Sequence, residues 1–343
     1  MDEPTHVIDP DGEVIIVLKD ANPPFAVWPE EKNEDDKSKI PGAPDQNSTP
    51  PSETEEEAEK ECFRIKVSAK HLTLSSPVFK SLLLGGWKES STFLDTGSTE
   101  LTVFGWDLDA FLIVMWMIHN QHKKIPRTIS LELFAKITVI ADYYKCNDAI
   151  GFFSDAWLDN LESNSDLQNN LACTFSRDQM LWMWISWLFR RGEHFQKSTA
   201  VAVKYSKIQI SSLGLPLPAK LIDHLNQQRE RGIESVMTAL QKQRSSFLGE
   251  KLPCSYTFQC TSMMLGGLEK YIFANGLSPA PTAPFVGLGY QDLVDLVRTF
   301  EPPEWRELRR SDMHACHSSR MGYVELRITT DSIVGLNILY YIF

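Results

Sequence analysis

Phe63-Arg64-Ile65-Lys66-Val67-Ser68-Ala69-Lys70-His71-Leu72-Thr73-Leu74-Ser75-Ser76-Pro77-Val78-Phe79 changes character in its middle. Cys62 to Val67 reads as a strand. From His71 the period turns helical: Leu72, Leu74, Val78, Phe79, Leu82 and Leu83 share one side of a short helix pair. Pro77 breaks that pair, because its ring removes a backbone donor and clashes with the preceding turn. Gly85-Gly86 ends it, and Trp87-Lys88-Glu89-Ser90 follows.

A strand needs a partner, and one lies upstream. Val14, Ile15, Ile16, Val17 and Leu18 form a continuous apolar run inside a strand over Glu13 to Asp20. Asp11-Gly12 and Asn22-Pro23-Pro24 bound it. Between the two strands, Pro29 to Glu61 is rich in Glu, Asp, Lys, Pro and Ser and nearly devoid of large apolar residues. Such a segment cannot bury enough area to offset its ordering entropy. It is expected to be a disordered acidic insertion at about 29–61, interrupting one domain.

Downstream, Leu101 to Phe104 reads as a short strand. Asp107 to His119 is a helix with Phe111, Leu112, Val114, Met115 and Ile118 inward and Asp107 as N-cap. Ser130 to Tyr144 and Asp148 to Leu161 are further helices. After about Ser165 the pattern is helical for long stretches: Met180 to Phe189, then Ala219 to Phe247 as one long helix or two broken near Gly232. Ser278 to Pro284 reads as a Pro-rich linker, and Gln291 to Phe300 and Arg320 to Leu336 as the last helices. No repeat of fixed period appears. The expected division is 1–165 and 166–343.

Two blocks carry a resemblance. Phe63 to Ser90, with His71-Leu72, Ser76-Pro77-Val78-Phe79 and Trp87-Lys88-Glu89, resembles the centre of a BTB/POZ domain. Ile125-Pro126-Arg127-Thr128, Leu131-Glu132-Leu133 and Ala141-Asp142-Tyr143-Tyr144-Lys145-Cys146 resemble the distal half of BTB domains in a large fungal group. Trp184 to Phe189, Gly214 to Pro218, Cys254 to Gly267 and the ending Val334-Gly335-Leu336-Asn337 resemble the helical C-terminal region of that same group. Tyr340 to Phe343 departs from it. The resemblance implies an α/β fold, a small sheet flanked by helical hairpins, followed by a mainly α-helical region. It also implies a protein-binding function, with other proteins as partners, among them the cullin scaffold of ubiquitin ligases.

Composition narrows the classes. With 43% hydrophobic and 10% aromatic residues, the 343-residue chain has ample material for a buried core. The net charge is −11. Twelve acidic and four basic residues between Glu30 and Glu61 supply −8 of it, leaving −3 for the rest. Without a basic excess there is no electrostatic footprint for nucleic acid. The acidic insertion reads as a solvated spacer, with docking of a basic partner or carriage of phosphates as the alternative. Met1 to Asp11 is acidic and polar, unlike a secretory leader. The longest apolar runs, Phe111 to Ile118 and Leu181 to Phe189, fall far short of the ~20 residues of a membrane helix. A soluble intracellular protein, cytoplasmic or nuclear, is the expectation, with the six cysteines as thiols or metal ligands rather than disulfides.

Candidate sites follow. In cullin-binding BTB proteins a hydrophobic–X–acid triplet stands where Trp87-Lys88-Glu89 stands here, so the resemblance makes Trp87 the pocket-filling anchor and Glu89 the orienting acid. The competing reading has Trp87 cap the helix pair and Glu89 solvated. The supporting core includes Leu72, Val78, Phe79, Leu82, Phe111 and Leu112. Only Met1 to Gly12 precede the first core strand, which argues against a helix-swapped BTB dimer. Cys254-x5-Cys260 and His314-x-Cys316 would each supply a pair of ligands to a tetrahedral structural zinc, with His317 spare. Buried thiols are the competing reading. Asp142-Tyr143-Tyr144-Lys145 reads as structural, both tyrosines burying their rings and Lys145 meeting the helix dipole. His71 reads as a packed or capping histidine. No Gly-x-Ser-x-Gly, His-Glu-x-x-His or Gly-rich phosphate loop appears, so no catalytic residues, no enzyme activity and no cofactor beyond that zinc are expected. A non-cullin scaffold or transcription-linked regulator is the main alternative. A zinc-stabilised helical domain with the BTB part as accessory is the second.

Overall fold

The computed structural model describes residues 3–29, 62–85, 93, 95–249, 258–303, 323 and 333–341. The chain divides into two compact units, Met1–Asn164 and Ser165–Phe343. It is mixed α/β, with one four-stranded sheet and, among the described residues, mostly helical content. No helix among those residues is long and apolar enough to cross a membrane. The acidic segment 30–61 lies outside the described residues.

The sheet belongs to the first unit. Its strands are β1 (His6–Val7), β2 (Val14–Lys19), β3 (Cys62–Val67) and β4 (Thr99–Phe104), in the order β1-β3-β2-β4. β2 runs antiparallel to β3, with Val14 opposite Val67 and Lys19 opposite Cys62. It runs parallel to β4. Lying between two neighbours, β2 buries Val14, Ile16 and Leu18 on one face and Val17 on the other. That is why its sequence is a continuous apolar run rather than an alternation. β4 sits at the edge and alternates, with Thr99, Leu101 and Val103 inward. β1, parallel to β3, was not anticipated; two residues carry no readable period.

Among the described residues, five α-helices of this unit have defined bounds: α1 (Ala69–Ser75), α2 (Pro77–Leu84), α3 (Leu108–Ile118), α4 (Leu131–Tyr143) and α5 (Asn147–Glu162). Pro77 does break the helical run, by opening a second helix at its first position, where its missing N–H is harmless. Leu72, Phe79 and Leu83 are fully buried, but Leu74 is 82% exposed. The shared face expected for it fails because residues two apart on a helix point away from each other. α3 buries eight of its eleven residues and forms the centre of the unit.

The second unit is helical: α6 (Ser165–Cys173), α7 (Arg177–Leu188), α8 (Gly192–Tyr205), α9 (Ala219–Leu248), α10 (Phe258–Ala274) and α11 (Tyr290–Arg298). α9 runs unbroken through Gly232. A Cβ there would lie 3.0 Å from the Tyr290 ring, so this glycine is the notch into which α11 packs, at a small cost in helix propensity. The Ser278–Pro284 stretch is not a free linker. Arg229, 1% exposed, donates from Nη1 to Pro284 O (2.8 Å), from Nη2 to Phe285 O and Leu288 O (2.8 Å each) and from Nε to Ser206 O (2.9 Å). Asn226 similarly grips both backbone groups of Ile210.

The expected last helix, Arg320 to Leu336, lies mostly outside the described residues, and over 333–336 the chain is not helical. There it docks on α8. Leu336 N donates to Thr199 Oγ1 at 2.8 Å, and a Cβ on Gly335 would fall 1.7 Å from Gln196 O. Only glycine admits so close an approach. Beyond it the Tyr341 ring meets Trp187 and His224.

Candidate functional site

The first unit builds an aromatic shelf from its core outward. Ser76, in extended conformation between α1 and α2, accepts from Phe79 N at 3.1 Å, which starts α2. Its hydroxyl donates to Tyr144 O at the end of α4. The helix pair and α4 are thus joined at one residue. Phe79 then stacks on Tyr144, centroids 4.3 Å apart and planes within 7°. Tyr144 OH accepts from Trp106 Nε1 at 3.1 Å. Trp106 in turn meets the Tyr143 ring edge-on at 5.2 Å. Phe79 is wholly buried, Trp106 partly, and Tyr143 is 59% exposed. Phe104, two residues before Trp106, is equally exposed, as is much of Leu84 at the end of α2.

The electrostatics around the shelf are fixed. Burial tends to lower the Lys136 pKa, but hydrogen bonds and attraction from Asp107 (2.8 Å) and Glu132 (3.0 Å) outweigh it and hold it above the ordinary lysine value. Asp107 also accepts from Ala110 N and so caps α3. Lys136 therefore ties α4 to the start of α3. Burial pushes the Tyr144 hydroxyl upward, with the Trp106 hydrogen bond opposing it. Burial likewise pushes the Cys146 thiol up to about 12. Neither ionises near neutral pH, so neither is an activated nucleophile or base.

Of the expected site residues, Trp87 and Glu89 lie outside the described residues, as do Cys254, His314, Cys316 and His317. Cys260 is buried in α10, in the apolar cluster that includes Met264, Leu268 and Phe247. Among the described residues no group of three or more His, Cys, Asp or Glu is placed to hold a metal ion. Of the tyrosine pair only Tyr144 buries its ring. Successive helical residues diverge by about 100°, so Tyr143 faces solvent. Lys145 sits past the helix end in the left-handed region (φ 53°) and pairs with Asp142 at 3.2 Å. His71 stacks on His119, centroids 5.0 Å apart.

No family model, curated protein or solved structure matches the chain.

The shelf itself, Trp106 with Tyr143, escaped sequence reading. Its one signal is a pair of large aromatics, Phe104 and Trp106, flanking a glycine in a turn where no periodic core demands them. Chemically the arrangement presents flat apolar area with a polar handle, held stiff by the ladder beneath. That suits contact with another macromolecule's surface more than bond-making.

Proposed function

We propose that the first unit is a BTB/POZ-type interaction module and that the chain is an adaptor without enzymatic activity. It would hold a cullin-type ubiquitin-ligase scaffold through the segment of Trp87 and Glu89 and a client protein elsewhere. The observation that carries an interaction role is the exposed Tyr143 against the half-buried Trp106, resting on the buried Phe79–Tyr144 stack. A rigid aromatic at a surface loses little side-chain entropy on docking, which is what makes such residues interface anchors. Support for the BTB reading comes from the motif order in the sequence, together with a small sheet whose last strand follows a helix pair and precedes further helices.

The test is a pulldown of a fungal-type cullin N-terminal domain with wild-type protein, Trp87→Ala/Glu89→Ala and Phe104→Ser/Tyr143→Ser, each checked for folding by circular dichroism. Binding by wild type that is lost in the first variant makes the chain a ligase adaptor. Loss in the second variant alone puts the contact on the shelf. A folded wild type that retains no cullin sinks the adaptor reading and leaves the non-cullin scaffold.

A further inference from the structure

The second unit contains a recess that packing alone does not explain. α6, α7 and α8 enclose a cavity of about 290 Å³, near the lower end of small-molecule sites. Its floor is apolar, formed by Leu171, Trp182 and Val201. Trp182 is held edge-on to His194, centroids 5.7 Å apart, so the two rings make a corner.

Gln179 lines this recess and is 1% exposed. Its Nε2 donates to Ser198 O at 3.3 Å, while its Oε1 is buried with no hydrogen-bond partner. Rotating the amide by half a turn would set Oε1 against the Ser198 carbonyl, two acceptors face to face, so the orientation is fixed by its neighbour. A buried acceptor without a donor is destabilising, and native proteins meet nearly all of them. A donor supplied from the recess that Gln179 lines would meet it.

The rim carries charge. Lys197 and Lys204 on α8 line the opening, seven residues apart and hence on one face of the helix. None of the residues lining the recess is acidic. We propose that the recess binds a small aromatic carboxylate that carries an N–H donor. Its ring lies against Trp182, its N–H donates to Gln179 Oε1, and its carboxylate meets Lys197 and Lys204. The three features needed, a flat apolar body, one donor and one negative charge, correspond to the three features present.

Isothermal titration of the full-length chain tests this with two probes, hippurate and N-acetyltryptophanate. Both contain a ring, an amide N–H and a carboxylate. At least one is expected to bind saturably. Lys197→Gln/Lys204→Gln, on the exposed rim, should weaken it about tenfold, the effect of losing a charge-assisted hydrogen bond. Should Gln179→Leu fail to fold, N-benzoylsarcosine reports on the same contact in the wild-type protein. It is hippurate with the N–H replaced by N–CH₃, and it should bind about tenfold more weakly. No saturable binding of either probe at millimolar concentration overturns the proposal. Binding that neither the lysine substitutions nor N-methylation weakens overturns it as well, because the probe then occupies another place.

Discussion

The two units start their helices by different means. In the first, three of the five helices begin on a side-chain cap three residues from its target: Ser76 to Phe79, Asp107 to Ala110 and Ser130 to Leu133. In the second, α7, α8, α9 and α11 begin with no side-chain cap. Its loops are held by buried side chains from far along the chain. Asn226 reaches Ile210 across 16 residues, Arg229 reaches Leu288 across 59, and Thr199 reaches Leu336 across 137. The first unit adds long-range bonds, such as Ser76 to Tyr144 O across 68 residues and Ser68 N to His119 across 51, to its local caps. The second, without side-chain caps on those four helices, rests more on a few residues, and single substitutions there should cost it more.

The sharpest way to break that contrast is Arg229. Replacing it by Met leaves the carbonyls of Ser206, Pro284, Phe285 and Leu288 without their donors. At about 1 kcal/mol or more for each of the four groups left unmet, the loss should reach roughly 4 kcal/mol. Arg229→Lys should recover less than half of it, since a single ammonium lacks the planar fork that serves four acceptors at once. Hydrogen exchange by mass spectrometry reads both units in one experiment. Protection should fall in α9 and α11 and hold in α3. A loss below about 1 kcal/mol, or an equal loss in α3, would mean that the clamp is not what holds the second unit's loops.

The same contrast explains what could be read from the sequence. The first unit announced itself residue by residue: the β2 run, the Pro77 break, and Asp107 and Ser130 as caps are all within a few positions of what they control. Leu74 and Tyr143 went wrong only in facing, where a difference of one or two positions reverses a side chain on a helix. In the second unit the boundaries of α9 and α11 were legible from their apolar spacing. The Ser278–Pro284 stretch looked like a linker because proline-rich composition is all that a local window sees. Its anchor, Arg229, follows Gln227-Gln228 and precedes Glu230-Arg231, a polar run in which an arginine looks like ordinary surface. Gln179 was hidden in the same way, since nothing local says that its carboxamide is buried. The Trp106–Tyr143 shelf joins two segments that no local window brings together.

Within the first unit, the largest cost to a polar substitution should come from one of its long-range bonds. His119 accepts from Ser68 N at 3.0 Å through Nε2, and its Nδ1–H donates to Met115 O at 2.8 Å. It spans 51 residues to fix the start of α1. Burial lowers its pKa, and the neighbouring His71 adds to the effect, while the Met115 and Ser68 contacts and Asp9 oppose it. The unfolded chain therefore takes up the proton first. Stability is full above the ordinary histidine pKa near 6.5 and declines as pH falls towards the lower folded value. His119→Leu should cost about 1–3 kcal/mol at pH 7.5, from the orphaned Ser68 N–H. It should also flatten the part of the decline below the ordinary histidine pKa that this group causes. Urea titrations at four pH values check both. A variant as stable as wild type at pH 7.5, or an unchanged pH slope, would remove His119 as the link between β3 and α3.

The smallest effect is the most direct comparison, because the same substitution is made in both units. Ser130 and Ser176 occupy the same N-cap position, before α4 and α7. The Ser130 hydroxyl accepts from Leu133 N at 3.2 Å, while the Ser176 side chain makes no cap hydrogen bond. Ser130→Ala should cost about 1 kcal/mol, the usual value of a cap. Ser176→Ala should cost within about 0.5 kcal/mol of nothing, as for a surface site without a partner. The measurement is again hydrogen exchange, comparing protection in α4 with protection in α7. Both are serines at an N-cap, Ser130 exposed with φ −73° and Ser176 half-buried with φ −142°, and the difference between the two values reads the side-chain cap that one has and the other lacks. Equal costs would show that the second unit's helices rely on their first turn as much as those of the first do. The burden assigned to Arg229, Asn226 and Thr199 would then have to be shared with caps that form in solution.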